Sequence, residues 1–271
     1  AATIASASMA QQTQHSFTIT NVRTPSSAID ANAVVATTQD TADKNVDTTR
    51  SMATDQISAG ALVSAEFDAS TDTPGFLHQA IVTCTTSGQV EAGGKIVLVM
   101  PSVAGVQHGW RLTDGSVETS GTSNAPTVAF VTPGSGAPGV KAGSVGYTLA
   151  SRTLTFEIET NDMAQSTAHV FTISNVLTPS SVVGSSNVAA TTKDSSDNDV
   201  DTTSFPLTDS TSTGSLVSAT FATATDSPGF ASVATVSFTT AGRVETGGKI
   251  VLVMPSVAGV QHGWRFTDAG G

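Results

Sequence analysis

The chain is poor in cysteine and in basic residues, and both shortages narrow what it can be. A single cysteine, Cys84, stands among 271 residues, so the chain can form neither an internal disulfide nor a thiolate metal cluster. Only 11 Lys and Arg accompany 22 Asp and Glu, and the formal net charge is −11. Binding to a phosphate backbone needs a local basic surface, so we expect no nucleic-acid partner.

Long apolar runs are also missing. No run approaches the roughly 20 residues that span a bilayer, so we expect no membrane insertion. Residues 1–20 lack the basic start and apolar stretch of a signal peptide, and a leader would lie outside this segment or have been removed. Charged residues make up 12% of the chain, whereas it contains 34 Ser and 43 Thr. This profile suits an extracellular or cell-surface protein and favours strands over helices.

The sequence repeats itself at an offset of 154 residues. Placing residues 1–117 on residues 155–271 gives 67 identical positions out of 117. The stretch GGKIVLVMPSVAGVQHGWR occurs unchanged at residues 93–111, the first block, and at residues 247–265, the second block. Such a repeat indicates two copies of one fold. The second copy is incomplete, because 271 is less than twice 154.

Alternating apolar and polar residues predict strands along the whole chain. The sets expected to face inward include Phe17 and Ile19; Ala80, Val82 and Cys84; and Ala234, Val236 and Phe238. Turn-forming stretches such as TDTPGF at 71–76 and TDSPGF at 225–230 separate the strands. Roughly seven or eight short strands per repeat predict an all-β chain of tandem immunoglobulin-like antiparallel β-sandwich repeats with a 154-residue period. A single closed sheet is the alternative architecture.

Domain boundaries are placed at the two Pro-Gly-Phe turns. Residues 1–77 are then the C-terminal half of a preceding repeat, residues 78–231 a complete repeat and residues 232–271 the N-terminal half of the following one. The absence of long linkers favours a stiff rod. The half-repeats are either parts of a longer chain or complete each other between molecules by strand addition.

Near its end, just before the final Arg, each block contains QHGW, which supplies one histidine and one tryptophan. The four residues are His108, Trp110, His262 and Trp264. A tryptophan on a loop can stack on a sugar, but the preceding apolar run is typical of a strand rather than of a site. We therefore expect an inter-repeat contact or a ligand platform at these residues, and we favour the contact.

Acidic residues at alternate positions form the other candidate site. They are Asp197, Asp199 and Asp201, with Asp43, Asn45 and Asp47 at the corresponding positions of the other copy. Oxygen donors at this spacing can hold Ca²⁺, and these residues are calcium candidates. The alternative is a solvated acidic edge, because alternate residues of a strand share one face. No other cofactor is expected.

The sequence contains no recognised catalytic motif. It has no G-x-S-x-G, H-E-x-x-H or P-loop pattern, so we expect no enzyme activity. It also has no N-x-S/T sequon, whereas Ser and Thr beside Pro are typical of O-glycosylated secreted chains. The O-glycan candidates are Thr24, Ser26, Ser27, Thr178, Ser180 and Ser181.

Three stretches carry a resemblance to a known kind of protein. They are VSFTTAGRVETGGKIVLVMP at 236–255, TLTFEIET at 153–160 and HVFTISNVLTPSS at 169–181. They resemble the Thr-rich repeat units of very large secreted or cell-surface proteins of algae and other protists. The resemblance implies sandwich repeats in an extracellular array with attached glycans. We expect a structural segment of an extracellular fibre, stalk or surface filament that associates with further repeats or copies of itself. The alternative is an adhesin-type module that binds glycans or another surface ligand.

Overall fold

The chain folds into β-strands and loops. The computed structural model describes residues 8–112, 126–131, 137–203 and 207–266. All regular elements of this part are strands, which confirms the predicted all-β class. It contains no helix of the length and apolar character needed to cross a membrane. The residues group into two compact units, Ala1–Pro25 with Ile29–Ile57, and Ser26–Ala28 with Ser58–Gly271.

The smaller unit is built on one hairpin. Strand β1 (Ala33–Gln39) pairs antiparallel with strand β2 (Asn45–Ala53). Asp40 shapes the turn between them, because its Oδ1 accepts hydrogen bonds of 2.9 Å from the backbone N–H groups of Ala42 and Lys44. Every residue of β1 is exposed. A two-stranded hairpin on its own is at best marginally stable in water.

The larger unit holds the remaining strands. In chain order they are β3 (Gly60–Ala61), β4 (Val63–Ala69), β5 (Leu77–Thr85), β6 (Lys95–Val99), β7 (Arg111–Leu112), β8 (Val128–Phe130), β9 (Gly146–Thr148), β10 (Thr153–Glu157), β11 (Ala168–Leu177), β12 (Ala189–Lys193), β13 (Asp199–Thr203), β14 (Leu207–Thr208), β15 (Val217–Thr223) and β16 (Ala234–Thr239). The first sheet has the order β3-β13-β12-β6-β10-β9. The second has the order β14-β4-β5-β11-β7, and β8 also pairs with β11. The third consists of β15 and β16.

The first two sheets enclose one hydrophobic core. Phe156 of β10 meets Phe171 of β11 edge to face, with ring centroids 5.3 Å apart. Burial alternates along β5 and β6, because successive side chains of a strand point to opposite faces. The described residues between 58 and 211 thus form a β-sandwich-like domain, called the sandwich below.

The turn at residues 71–76 lies inside the sandwich. It links β4, which ends at Ala69, to β5, which begins at Leu77, and the two strands pair antiparallel. The expected boundary between residues 77 and 78 therefore falls within one sheet. A Pro-Gly turn closes a hairpin as readily as it separates domains, so its sequence alone does not locate a domain boundary.

Of the side chains predicted to face inward, one set is buried and another is exposed. Ala80, Val82 and Cys84 are buried, as predicted. Phe17 and Ile19 are exposed, so the prediction that they face inward is wrong for this structure. The alternation of their segment matches that of β11, but no second sheet covers it in the part of the chain described. A periodic pattern reports which residues share a face, not whether that face is covered.

The two blocks share one sequence and have different structures. In the first block, β6 lies between β10 and β12, and Ile96 is 2% exposed. In the second block, residues 249–253 form no strand and Ile250 is 71% exposed. Because the residues are identical, the neighbouring strands cause the difference. Whether this sequence forms a strand thus depends on its tertiary context.

Candidate joint after the sandwich

Trp110 closes one end of the sandwich core. Its side chain is 0% exposed. Its ring centroid lies 5.8 Å from that of Phe67 and 6.4 Å from that of His78, edge to face in both cases. The indole therefore presents no face to a sugar. It packs as a core residue, and buried aromatic pairs of this geometry stabilise a domain beyond their area alone.

Three loops meet next to Trp110. The backbone N–H of Ser180 donates to the carbonyl of His108 at 2.9 Å, and the N–H of His108 donates to Ser180 Oγ at 3.0 Å. Thr178 Oγ1 donates to the carbonyl of Thr73 at 2.6 Å and accepts from the N–H of Phe76 at 2.9 Å. These hydrogen bonds fix the turn at 71–76, the loop before Trp110 and the segment after β11 against one another.

The segment that follows the sandwich binds to these loops through its backbone. Gly75 N–H donates to the carbonyl of Pro179, and Arg243 N–H donates to the carbonyl of Gly75, both at 2.8 Å. A Cβ on Gly242 would lie 1.8 Å from the carbonyl oxygen of Pro74. Only glycine allows the two backbones to approach this closely.

A salt bridge completes the contact. Arg111 Nη2 lies 2.6 Å from Glu245 Oε1, and the two side chains are 5% and 8% exposed. Arg243 Nη2 approaches the other oxygen of Glu245 at 3.2 Å. Each of these buried charges needs its partner, because a single buried charge would lose its contact with water and gain no ion pair in return. These residues, with Pro74, Gly75, Thr178, Pro179, Ser180 and Gly242, are called the joint below.

The residues of the joint recur 154 positions away. The identical pairs are Pro74 and Pro228, Gly75 and Gly229, Arg111 and Arg265, Thr178 and Thr24, Pro179 and Pro25, Ser180 and Ser26, Gly242 and Gly88, and Glu245 and Glu91. Arg243 is the exception, since Gln89 takes its place. Sequence reasoning missed the pairing of Arg111 with Glu245. The sequence repeats an Arg at the end of the block and a Glu two residues before it, which marks the two residues but does not show that they pair.

The second block offers the same residues in a different setting. Trp264 is 49% exposed, and its ring centroid lies 5.6 Å from that of Phe221, edge to face. This contact matches the Phe67–Trp110 pair. His262 is exposed, whereas His108 is half-buried. Of the four QHGW residues, the structure therefore places His108 next to the joint and Trp110 in the core behind it.

The acidic calcium candidates of the sandwich pair with lysine side chains or accept a backbone hydrogen bond. Asp197 pairs with Lys95 at 2.7 Å, and Asp199 pairs with Lys193 at 2.5 Å. Asp201 is buried, which raises the pKa of its carboxyl, and it accepts a hydrogen bond of 3.0 Å from the N–H of Gly88. The three carboxylates thus have separate partners.

The equivalent residues of the smaller unit behave alike. Asp43 adopts a φ of 60° in the β1–β2 turn. Asn45 accepts a hydrogen bond from Gln39, and Asp47 accepts one from Thr38. Across the described ranges, no group of three or more His, Cys, Asp or Glu side chains is arranged to hold a metal ion.

The O-glycan candidates differ in access. Thr178 is buried and its hydroxyl is engaged in the joint, which leaves no room for a glycan on that oxygen. Ser180 and Ser27 are half-buried, whereas Thr24, Ser26 and Ser181 are exposed. Three of the six hydroxyls are therefore accessible.

Comparison with known proteins adds no identity. The chain matches no protein-family model and no curated protein.

Proposed function

We propose that the chain is a structural segment of an extracellular fibre, stalk or surface filament without catalytic activity. Immunoglobulin-like sandwich repeats follow one another in it with a period of 154 residues. The observation that carries the proposal is the joint, in which Arg111 and Glu245 form a buried salt bridge. Both halves of that contact recur in the sequence, so the same joint can form at every repeat.

A joint of this kind connects successive repeats stiffly. Backbone hydrogen bonds and a buried ion pair follow the sandwich directly, with β15 beginning only nine residues after β14 ends. A compact 154-residue repeat has a radius of gyration of about 15 Å and is about 40 Å across. Single end-to-end stacking then gives an axial repeat of about 40 Å.

The proposed location and modification follow from the surface chemistry. The 77 hydroxyl residues, 34 Ser and 43 Thr, supply most of the polarity of a chain that is 12% charged. Thr24, Ser26 and Ser181 are exposed and lie in or next to a Pro-Ser dipeptide, and we assign them as O-glycan sites. An intact mass above the mass of the sequence supports this assignment, and an equal mass contradicts it.

Imaging tests the fibre directly. An antibody raised against the purified chain is applied to intact and to permeabilised source cells. Labelling of filaments on intact cells, with an axial spacing of about 40 Å or a multiple of it, is the expected result. Labelling that needs permeabilisation, or a spacing unrelated to that length, contradicts the proposal.

One observation favours the adhesin as a second candidate. The half-exposed ring of Trp264 offers the kind of face on which a sugar stacks. Binding of the chain to a glycan array, lost on Trp264→Ala and retained on Val131→Asp at an exposed site outside residues 212–266, would establish it. No binding by the unchanged chain rejects it.

A further inference from the structure

The part of the chain after the sandwich exposes a continuous apolar surface. Residues 212–266, called the C-terminal segment, contain β15, β16 and the second block. A cavity of about 770 Å³ opens on this surface. Its lining includes Phe221, Val236, Ile250, Leu252, Met254 and Trp264. Large contiguous apolar surfaces on a folded protein mark interaction sites.

The residues of the sandwich that correspond to this surface are buried. The residues 154 positions earlier are Phe67, Val82, Ile96, Leu98, Met100 and Trp110, and all six belong to the core. All six pairs are identical in residue type. The Phe67–Trp110 contact of 5.8 Å is repeated by the Phe221–Trp264 contact of 5.6 Å. The C-terminal segment therefore has the internal packing of half a sandwich and lacks the cover.

Strands β11 to β13 supply that cover in the sandwich. Their segment contributes the buried residues Phe171, Ile173, Val176, Val188 and Val200. The residues 154 positions earlier are Phe17, Ile19, Val22, Val34 and Val46, identical in type at each position and all exposed. Phe171 is 1% exposed and Phe17 is 77% exposed. Residues 8–57, called the N-terminal segment, thus contain the apolar face that corresponds to this cover. In the N-terminal segment this face is exposed.

Both segments also have an open hydrogen-bonding edge. In the sandwich, β5 pairs with β4 on one side and with β11 on the other, whereas its counterpart β16 pairs with β15 alone among the described strands. Strand β12 pairs with both β13 and β6, whereas its counterpart β1 pairs with β2 alone in the same set. An open edge next to an apolar face is a template for strand addition.

We propose that the N-terminal segment of one copy of this chain docks on the C-terminal segment of a second copy. This inference rests on the proposed function in one respect, since it takes both segments as halves of one repeated fold. The register follows from the sandwich, where Phe171 faces Val82 and Thr192 faces Ile96. Phe17 accordingly faces Val236 of the second copy, and Thr38 faces its Ile250.

The complex of the two segments contains the counterparts of most strands of the sandwich. Counterparts of β3 to β7 come from the C-terminal segment and counterparts of β11 to β14 from the N-terminal segment. The contact is heterologous, because the two surfaces differ. Each docked copy therefore still offers one free surface of each kind, and association continues head to tail.

Two charge substitutions test the docking on the full chain. Phe17→Asp disables the N-terminal segment and leaves the C-terminal one intact, and Ile250→Asp does the reverse. Both residues lie outside the sandwich, so the melting transition of the sandwich serves as the folding control. Val131→Asp places the same charge at an exposed apolar site in neither segment. Sedimentation velocity over a wide range of concentration is the readout.

The expected pattern is specific. The unchanged chain and Val131→Asp form oligomers that grow with concentration, and each of the other variants associates roughly a hundredfold more weakly, because an unpaired charge is buried at the contact. A mixture of Phe17→Asp and Ile250→Asp forms a 1:1 dimer that grows no further, since one functional surface of each kind remains.

Three results overturn the proposal. They are an unchanged chain that stays monomeric, as when the cover comes from its own N-terminal segment; single variants that still polymerise; and a mixture that stays monomeric. None of them affects the labelling of surface filaments or their spacing, so a failed docking is distinguishable from a failed fibre proposal.

Discussion

Arg111 and Glu245 lie 134 residues apart in the chain and form a salt bridge of 2.6 Å with both side chains almost inaccessible. Arg111 belongs to β7 at the end of the sandwich, and Glu245 belongs to the segment after it. A buried ion pair adds little net stability over an apolar pair, but removal of one partner is costly. The pair therefore specifies where the following segment binds.

Arg111→Met is expected to release that segment. Glu245 is left buried without its main partner, which costs about 3–5 kcal/mol. The N–H of Arg243, which donates to Gly75, should lose its protection from hydrogen exchange, while the amides of β6 keep theirs. Arg265→Met is the matched control, because Arg265 is exposed. Unchanged protection of Arg243 in Arg111→Met would show that the salt bridge does not hold the joint.

Gly242→Ala is expected to disrupt the same contact by sterics. Its Cβ would approach the carbonyl oxygen of Pro74 to 1.8 Å, so one backbone must move away. Gly184→Ala is the control, since no atom lies within 4 Å of a Cβ there. Hydrogen exchange at Arg243 is again measured. A Gly242→Ala variant with native exchange at that amide contradicts the described backbone approach.

The sequence predicted the class of fold and the shared faces of strands but not which faces are covered. The alternation at Ala80, Val82 and Cys84 and the alternation at Phe17 and Ile19 have the same form, yet only the first set is buried. Burial depends on a second sheet that the local pattern does not encode. The Arg111–Glu245 contact was out of reach for the same reason, because it joins residues distant in sequence.

The two tryptophans give a matched pair for stability. Trp110→Ala removes a fully buried side chain and is expected to cost about 3–5 kcal/mol, which lowers the melting temperature of the sandwich by about 10 °C or more. Trp264→Ala at the corresponding exposed position should leave that transition unchanged in dilute solution. Equal effects of the two substitutions would contradict the different burial of the two blocks.

Acidification is expected to destabilise the sandwich through buried histidines. Burial lowers the pKa of His169 and of His78 below the usual 6.5, and their hydrogen bonds with the carbonyls of Ala164 and Gln79 only partly oppose this. Between the lowered and the usual pKa the unfolded chain binds more protons, so the free energy of unfolding falls as the pH drops through about 6.5. The melting temperature should therefore decrease from pH about 7.5 to about 5.5.

His169→Gln isolates this effect. It should flatten the dependence of the melting temperature on pH, whatever its effect on the melting temperature itself. His15→Gln, at the exposed position 154 residues earlier, is the matched substitution outside the sandwich. An identical slope in His169→Gln and the unchanged chain would contradict the assignment.

Cys84 is expected to be inert in the folded chain. Burial raises the pKa of its thiol to about 11, so only about one molecule in a thousand carries the reactive thiolate at pH 8. Reaction with a disulfide reagent should be slow in buffer and fast in guanidinium chloride. A native rate equal to the denatured rate would place the thiol at the surface.

Hydrogen exchange of the two blocks tests most directly whether the C-terminal segment is an uncovered half of the same fold. Peptides from the two blocks are distinguishable by their flanks, since Ala92 precedes the first block and Thr246 precedes the second. In dilute solution the amides of residues 95–99 should be protected and those of residues 249–253 should exchange rapidly. At concentrations where the chain associates, residues 249–253 should become protected to a similar degree. Equal protection of the two stretches in the monomer, or no gain at residues 249–253 on association, would contradict the account.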